Sequence, residues 1–260
     1  MGGTWSQGST FLLRGAPRAR KEATIGAPGV FWQSLGPFFT RGLPETVKIT
    51  ALLLCLGLVL GAVLGFTQVY GRRPFRYACV TYEQIFRGVP PLVMILIFYN
   101  GLARSFHIML PATVSAVLAL GLRSAAYQSQ VFRGAIQAVP PGQMMAARAL
   151  GMSKLQAIRH VIVPQAFRLA IPPWSNEYSG VVKDTAFACA IGVAELTRQA
   201  QLAMTRLSMV PDIGSRLILP VFLILGLFYL VLTYGGNGLL GLLERRLRIP
   251  GFEMKGKVER

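Results

Sequence analysis

Two stretches of this chain carry no charged residue: residues 49–71, between Lys48 and Arg72, and residues 217–243, between Arg216 and Glu244. Each exceeds the roughly 20 apolar residues that a helix needs to cross the hydrocarbon of a bilayer. Backbone in lipid must satisfy its own hydrogen bonds, so segments of this kind enter as helices. The two gaps therefore point to an all-α polytopic membrane protein. The composition agrees, with 53% hydrophobic residues, 14% charged residues and a positive mean hydropathy.

Weaker segments bring the expected total to about five transmembrane helices. The first runs over 47–70. "RYACVTYEQIFRGVPPLVMILIFYNGLA" gives a second, broken by Pro90 and Pro91, whose missing donors need neighbouring helices or water to complete the hydrogen bonding. The third covers 111–131. The fourth, 164–182, holds Pro172, Pro173, Asn176 and Glu177, which are costly against lipid, so it is expected to be lined by protein. The last covers 213–240. "GVFWQSLGPFFTRGLPET", residues 29–46, is too short to span and is expected at the interface, with Trp32, Phe38 and Phe39 at headgroup depth. Residues 1–28 form a basic arm with only "FLL" as an apolar core, too little for a signal peptide and expected to be disordered. The membrane domain then occupies 47–248, with a tail over 249–260.

A net charge of +17 raises the question of nucleic acid. The cations instead flank apolar segments, as in Arg72, Arg73, Arg76 and in Arg245, Arg246, Arg248, the pattern that the positive-inside rule and anionic lipid produce. Residues 71–78, 133–168 and the tail from 242 hold the largest groups. Five spans with a cytoplasmic C-terminus put all three inside, at the cost of placing the basic arm outside. Cys55, Cys79 and Cys189 lie far apart in apolar surroundings and suggest neither disulfide nor metal.

Between the third and fourth spans lies "GQMMAARALGMSKLQAIRHVIVP", residues 142–164, too polar to cross and too regular for a loose loop. Pro140 and Pro141 open a helix of strong formers, which Gly151 ends. Ser153 and Gln156 have capping-box spacing for a second helix, with Pro164 as its far boundary. Two short helices meeting at a glycine make a compact knob. Ala146 and Ala147 let another surface approach, while Arg148, Lys154 and Arg159 face water or an acidic partner.

The knob resembles the EAA loop of ABC importer membrane subunits: Ala146, Ala147, Gly151 and Pro164 fall at that family's spacing, and Met145 replaces its Glu. "YEQIFRGVPPLV", "SAAYQSQVFRGAIQAVPPGQ", "VIVPQAFRLAIPP" and "VKDTAFACAIGVAELTRQAQ" extend the resemblance to permeases for polar amino acids. The resemblance implies the type I ABC importer permease fold, in which the 140–163 loop is a coupling helix. It implies partners: ATP-binding cassette ATPase subunits, an extracytoplasmic amino-acid-binding protein and a second permease chain, identical or paralogous. It implies the cytoplasmic (inner) membrane of a bacterium or archaeon. Docking to the ATPase falls on Gln143, Ala146, Ala147, Arg148 and Gly151. No Walker A pattern, H-E-x-x-H or G-x-S-x-G occurs, so no cofactor is expected in this chain, and ATP and Mg belong on the partner.

Carrying a zwitterion requires polar groups at membrane depth. Arg123, where the family often has Asn, either binds an α-carboxylate bidentately or pairs with a structural carboxylate such as Glu83 or Glu177. Ser124, Tyr127 and Gln130 follow at near-helical spacing and line the same face; Gln130 stands where many relatives carry Glu. Asn176 and Glu177 offer contacts from the fourth span. Lys183, Asp184 and Thr185 match the family's Lys-Asp-Thr motif, and the first two either form an internal ion pair at a helix bend or touch substrate. Glu195, Arg198 and Gln199 are expected on the outer side, against the binding protein. An ion-gradient transporter and an integral membrane enzyme are the alternative functions.

Overall fold

The computed structural model describes residues 27–209 and 214–247. All but two residues of the expected arm, and the tail over 249–260, lie outside them. Along the chain come α1 (Ala27–Pro37), α2 (Leu43–Tyr70), α3 (Arg73–Gly88), α4 (Pro91–Leu96), α5 (Leu102–Phe106), α6 (Ala112–Ala138) and α7 (Pro141–Ala149). These are followed by α8 (Lys154–Ala157), α9 (Val163–Asp184), α10 (Leu196–Leu207) and α11 (Ile218–Leu247), and the described residues contain no strand.

The segment expected at the interface is not separate from the first span. A π-helical turn, Phe38–Gly42, carries α1 into α2, and one helix runs over Gly29–Tyr70, 42 residues. At 1.5 Å per residue it is about 63 Å long, roughly twice the hydrocarbon thickness. Its aromatics divide: Trp32 and Phe39 are exposed, but Phe38 is fully buried among Val30, Leu196, Leu207 and Val221. The span over α3 to α5 is also more sharply broken than expected. Its two limbs, Arg73–Gly88 and Pro91–Phe106, qualify as a span only together and meet at 102°. Pro90 has no N–H to continue the first limb, and its extended ψ of 142° turns the chain.

Among the described residues, only the α1–α2 helix and α11 are long and apolar enough to cross a membrane by themselves. Helices α6 and α9, at 27 and 22 residues, are long enough, but α6 buries Ser124, Gln128 and Ser129, and α9 carries the half-buried Glu177 and Asp184. The centre of the fold is the seam between α2 and α6. Gly57, Gly61 and Gly65 repeat every fourth residue and so share one face of α2. A Cβ at Gly61 would stand 2.8 Å from Gln128 Cβ and 3.0 Å from the Ala125 carbonyl oxygen; one at Gly65 would stand 2.9 Å from the Ser129 carbonyl oxygen. The two backbones are in contact, the small-residue packing that lets membrane helices associate without a hydrophobic driving force. Above and below the seam, Leu53, Ile95 and Leu120 fill one core and Phe132, Ile162 and Ala166 another. Outward, Val59 and Val63 on α2 and Leu223, Leu227 and Val231 on α11 are exposed.

Pro164 is not a helix boundary. Helix α8 passes through a π-helical turn, Ile158–Ile162, into α9, with Pro164 in the first turn after the widening. A π turn leaves room for a residue that would disrupt an ordinary i→i−4 ladder.

Candidate functional site

The expected polar residues fall into two clusters, both built on α6. In the first, Arg123 forms an ion pair with Asp184 of α9, so neither Glu83 nor Glu177 is its partner. Arg123 Nη2 also donates to the Tyr127 hydroxyl at 3.2 Å, and its guanidinium lies 4.8 Å from the Tyr127 ring centroid. The Arg123 Nε is buried and has no hydrogen-bond partner among the described residues. One residue on, the Ser124 hydroxyl donates to Glu177 Oε1 at 2.7 Å. Gln128 Nε2 donates to Ser124 Oγ at 3.1 Å, and Trp174 Nε1 donates to Gln128 Oε1 at 2.8 Å. Ser124 and Gln128 are one turn apart and face α9, whose Trp174 and Glu177 lie three residues apart on the opposing face.

Gln130 does not share that face. It donates to Glu83 of α3 in the second cluster, where Gln68 Nε2 of α2 donates to the same carboxylate at 3.0 Å. Arg133 Nη1 lies 3.5 Å and Arg87 Nη1 3.4 Å from Glu83, and Arg133 also donates to Gln68 Oε1 at 2.7 Å. Glu83 is only 4% exposed. Of these residues only Gln130 was singled out from the sequence, Glu83 having entered as a possible partner of Arg123. Gln68 and Gln128 carried a usable signal, since each is an amide inside an otherwise apolar run.

The remaining expectations divide. Asn176 is exposed and makes no side-chain hydrogen bond among the described residues. Thr185, just past the end of α9, is fully buried and donates to the Val182 carbonyl, so it faces no opening. Lys183 does not pair with Asp184. It is exposed and borders a cleft of about 380 Å³ with Ser179, Tyr229, Thr233, Tyr234 and Asn237, between α9 and α11. Glu195 and Gln199 cannot meet an outside partner, because both are buried. Glu195 caps α10, accepting from the amides of Thr197 and Arg198 at 2.7 and 2.8 Å and from the Tyr229 hydroxyl at 2.9 Å. Burial pushes its carboxyl above the usual range, opposed by these donors.

The knob is built as its residues dictate. Helix α7 ends at Gly151, φ +82°, with Gly151 N–H bonded to the Arg148 carbonyl at 3.0 Å and Met152 N–H to the Ala147 carbonyl at 3.2 Å. That is a Schellman turn, which favours glycine at the left-handed position. Ser153 then caps α8: Gln156 N–H donates to Ser153 Oγ at 3.2 Å, and Ser153 N–H donates to Gln156 Oε1 at 2.8 Å. Arg148 turns back onto the Met152 carbonyl at 2.9 Å, and Gln143 accepts from Gln165 at 3.2 Å. Ala147 is buried inside the knob, so of the two alanines only Ala146 is on the surface. Beside it, Met145, Leu150 and Leu155 are exposed, Leu150 by 81%.

The family model for binding-protein-dependent transport system inner membrane components matches residues 57–249. The glutamine transport system permease protein GlnP of Escherichia coli (strain K12) is 32% identical over 219 residues, covering 84% of this chain and 96% of the relative. The L-cystine transport system permease protein TcyB of Bacillus subtilis (strain 168) is 34% identical, covering 83% of this chain and 88% of the relative. Among solved structures, an amino acid ABC transporter crystallised with histidines superposes with a TM-score of 0.70 at 33% identity, over 86% of this chain and 97% of the other. The all-α fold is thus shared with a membrane subunit of an amino acid ABC transporter, and the chain belongs to the family of binding-protein-dependent transport system inner membrane components, as a transport subunit and not an enzyme.

Proposed function

We propose that this chain carries polar amino acids inward through the membrane, with the knob at 140–163 coupling it to a cytoplasmic ATPase. The observation that carries the coupling is the apolar surface of Met145, Leu150 and Leu155 on a knob locked by a Schellman turn and a capping box. Leucine 81% exposed on a rigid element beside polar side chains is the surface of a docking element. Met145 supplies an apolar contact where the family's Glu would stand. ATP and Mg bind the partner ATPase, and this chain holds neither.

The substrate class is supported by the names of the relatives, glutamine and L-cystine permeases among them. The path runs past the cluster on α6 and α9. Arg123 is neutralised by Asp184, which leaves Glu177, held by Ser124 alone, as the acceptor for an α-ammonium group, and Lys183 at the cleft as the cation for an α-carboxylate. Ser124 and Tyr127 shape the wall between them. The C-terminus and knob are cytoplasmic, a second permease chain completes the pathway, and an extracytoplasmic binding protein delivers the substrate.

The test is uptake into vesicles carrying this chain, its partner permease, the ATPase and the binding protein. Accumulation of labelled amino acid should require ATP inside the compartment facing the knob. Accumulation driven by an ion gradient without the ATPase would contradict the coupling.

A further inference from the structure

Helix α3 has one buried residue, and that residue is an acid: Glu83. A helix usually packs through an apolar stripe, yet Phe75, Tyr77 and Ile85 on α3 are exposed. It holds α2 and α6 through Phe86, packed on the core of Ile49, Leu53 and Leu120, through a hydrogen bond from Tyr82 to the Leu122 carbonyl at 2.7 Å, and through the carboxylate. Glu83 draws donors from three helices: Gln68 of α2, Ser129, Gln130 and Arg133 of α6, and Arg87 of α3 itself. A buried carboxylate with two arginines is a poor source of net stability, because desolvation offsets most of the attraction. What it supplies is direction, since each donor must point at the carboxylate.

The geometry continues beyond Glu83. Arg87, paired with it at 3.4 Å, lies with its guanidinium 5.0 Å from the Tyr127 ring centroid, the same ring that holds Arg123 at 4.8 Å. Tyr127 therefore sits between two guanidinium groups, and one of them belongs to the Arg123–Asp184 pair. A cation on an aromatic face is held directionally by the ring quadrupole. The contacts form an unbroken line from Gln68 on α2, through α3 and α6, to Asp184 on α9.

We propose that Glu83 is a positioning residue for transport: by fixing Arg87 against Tyr127 it sets the orientation of Arg123 toward Asp184, and so the shape of the substrate path, from a helix that touches no substrate itself. The proposal rests on the reading of the Arg123 cluster as that path. It assigns Tyr127 the part of a wedge between two arginines.

The experiment is a double-mutant cycle on uptake by the whole transporter in vesicles. The probe is the labelled amino acid that the wild-type complex accumulates fastest from an equimolar mixture of the twenty. Arg87→Met leaves Glu83 its donors on α2 and α6, and Tyr127→Leu removes the wedge. Each single variant is expected to raise the uptake KM about tenfold, with the complex assembling at wild-type yield. The double variant should be no worse than either alone, since both cut one line. Glu83→Gln should match Arg87→Met; if it lowers assembly yield, the cycle on Arg87 and Tyr127 decides alone. Multiplying losses in the double variant, or wild-type KM in Arg87→Met, overturns the proposal. Arg123→Met separates the two readings: loss of uptake there with a wild-type Arg87→Met leaves the path standing and removes Glu83 from it, whereas normal uptake in Arg123→Met removes the path.

Discussion

Helix α6 has two neighbours attached in opposite ways. Helix α2 meets it through Gly61 and Gly65 against the α6 backbone and through Gly57 against the Ser124 and Gln128 side chains, with no room for a methyl group. Helix α3 adds to the apolar contact of Phe86 a polar junction, Glu83 and the donors around that carboxylate. Close-packed small residues give one sharp minimum, because any separation forfeits every contact together. A polar junction can exchange one donor for another, or for water, and so tolerates a second arrangement. The comparison teaches which parts of the bundle are frame and which can respond when substrate passes.

Substitutions can break that contrast. The largest effect is expected from Gly61→Leu, whose side chain would enter the α6 backbone; overpacking should cost about 3 kcal/mol, read as a lower midpoint in SDS denaturation of the purified chain. Gln68→Leu removes a donor from a buried carboxylate and should cost about 2 kcal/mol in the same assay, the penalty of a charged group left short of a hydrogen bond. Trp174→Phe keeps an aromatic side chain but trims the indole and deletes the N–H that Gln128 accepts, for about 1 kcal/mol from the lost hydrogen bond. The smallest effect has the opposite sign. A Cβ at Gly134, also on α6, meets nothing within 4 Å, so Gly134→Ala should stabilise by up to about 1 kcal/mol through helix propensity. If Gly61 and Gly134 respond alike, the seam is not a close-packed frame.

The fold was legible where physics is local. The charge-free stretches are the two helices that cross on composition alone, and Ser153, Gln156 and Gly151 formed the capping box and Schellman turn that their spacing predicts. Boundaries that depend on context were less so: Pro164 reads as a stop, but a π turn just before it absorbs the strain. The 29–46 segment reads as separate because it is short and rich in Gly and Pro, yet its helix joins the first span by packing Phe38 on α10 and α11. Within the site, residue types at spanning depth were readable, but partners were not. Glu83 and Glu177 were the partners expected for Arg123, and only the approach of α9 to α6 selects Asp184 instead. Gln130 sits two residues past Gln128 and so turns to another helix. The glycine seam carried a plain signal, three glycines spaced by four, that was visible in the sequence beforehand.

The central claim is that the knob is the surface through which a separate motor grips this chain, and Leu150 tests it most directly. Leu150 is exposed, fills no core of this chain and can be made charged without burying the charge in it. The measurement is copurification of the cognate ATPase with Leu150→Glu from solubilised membranes, with the SDS midpoint of the permease as a check on its fold. The account predicts wild-type midpoint with the ATPase lost from the complex. A full complement of bound ATPase at the wild-type midpoint would contradict it.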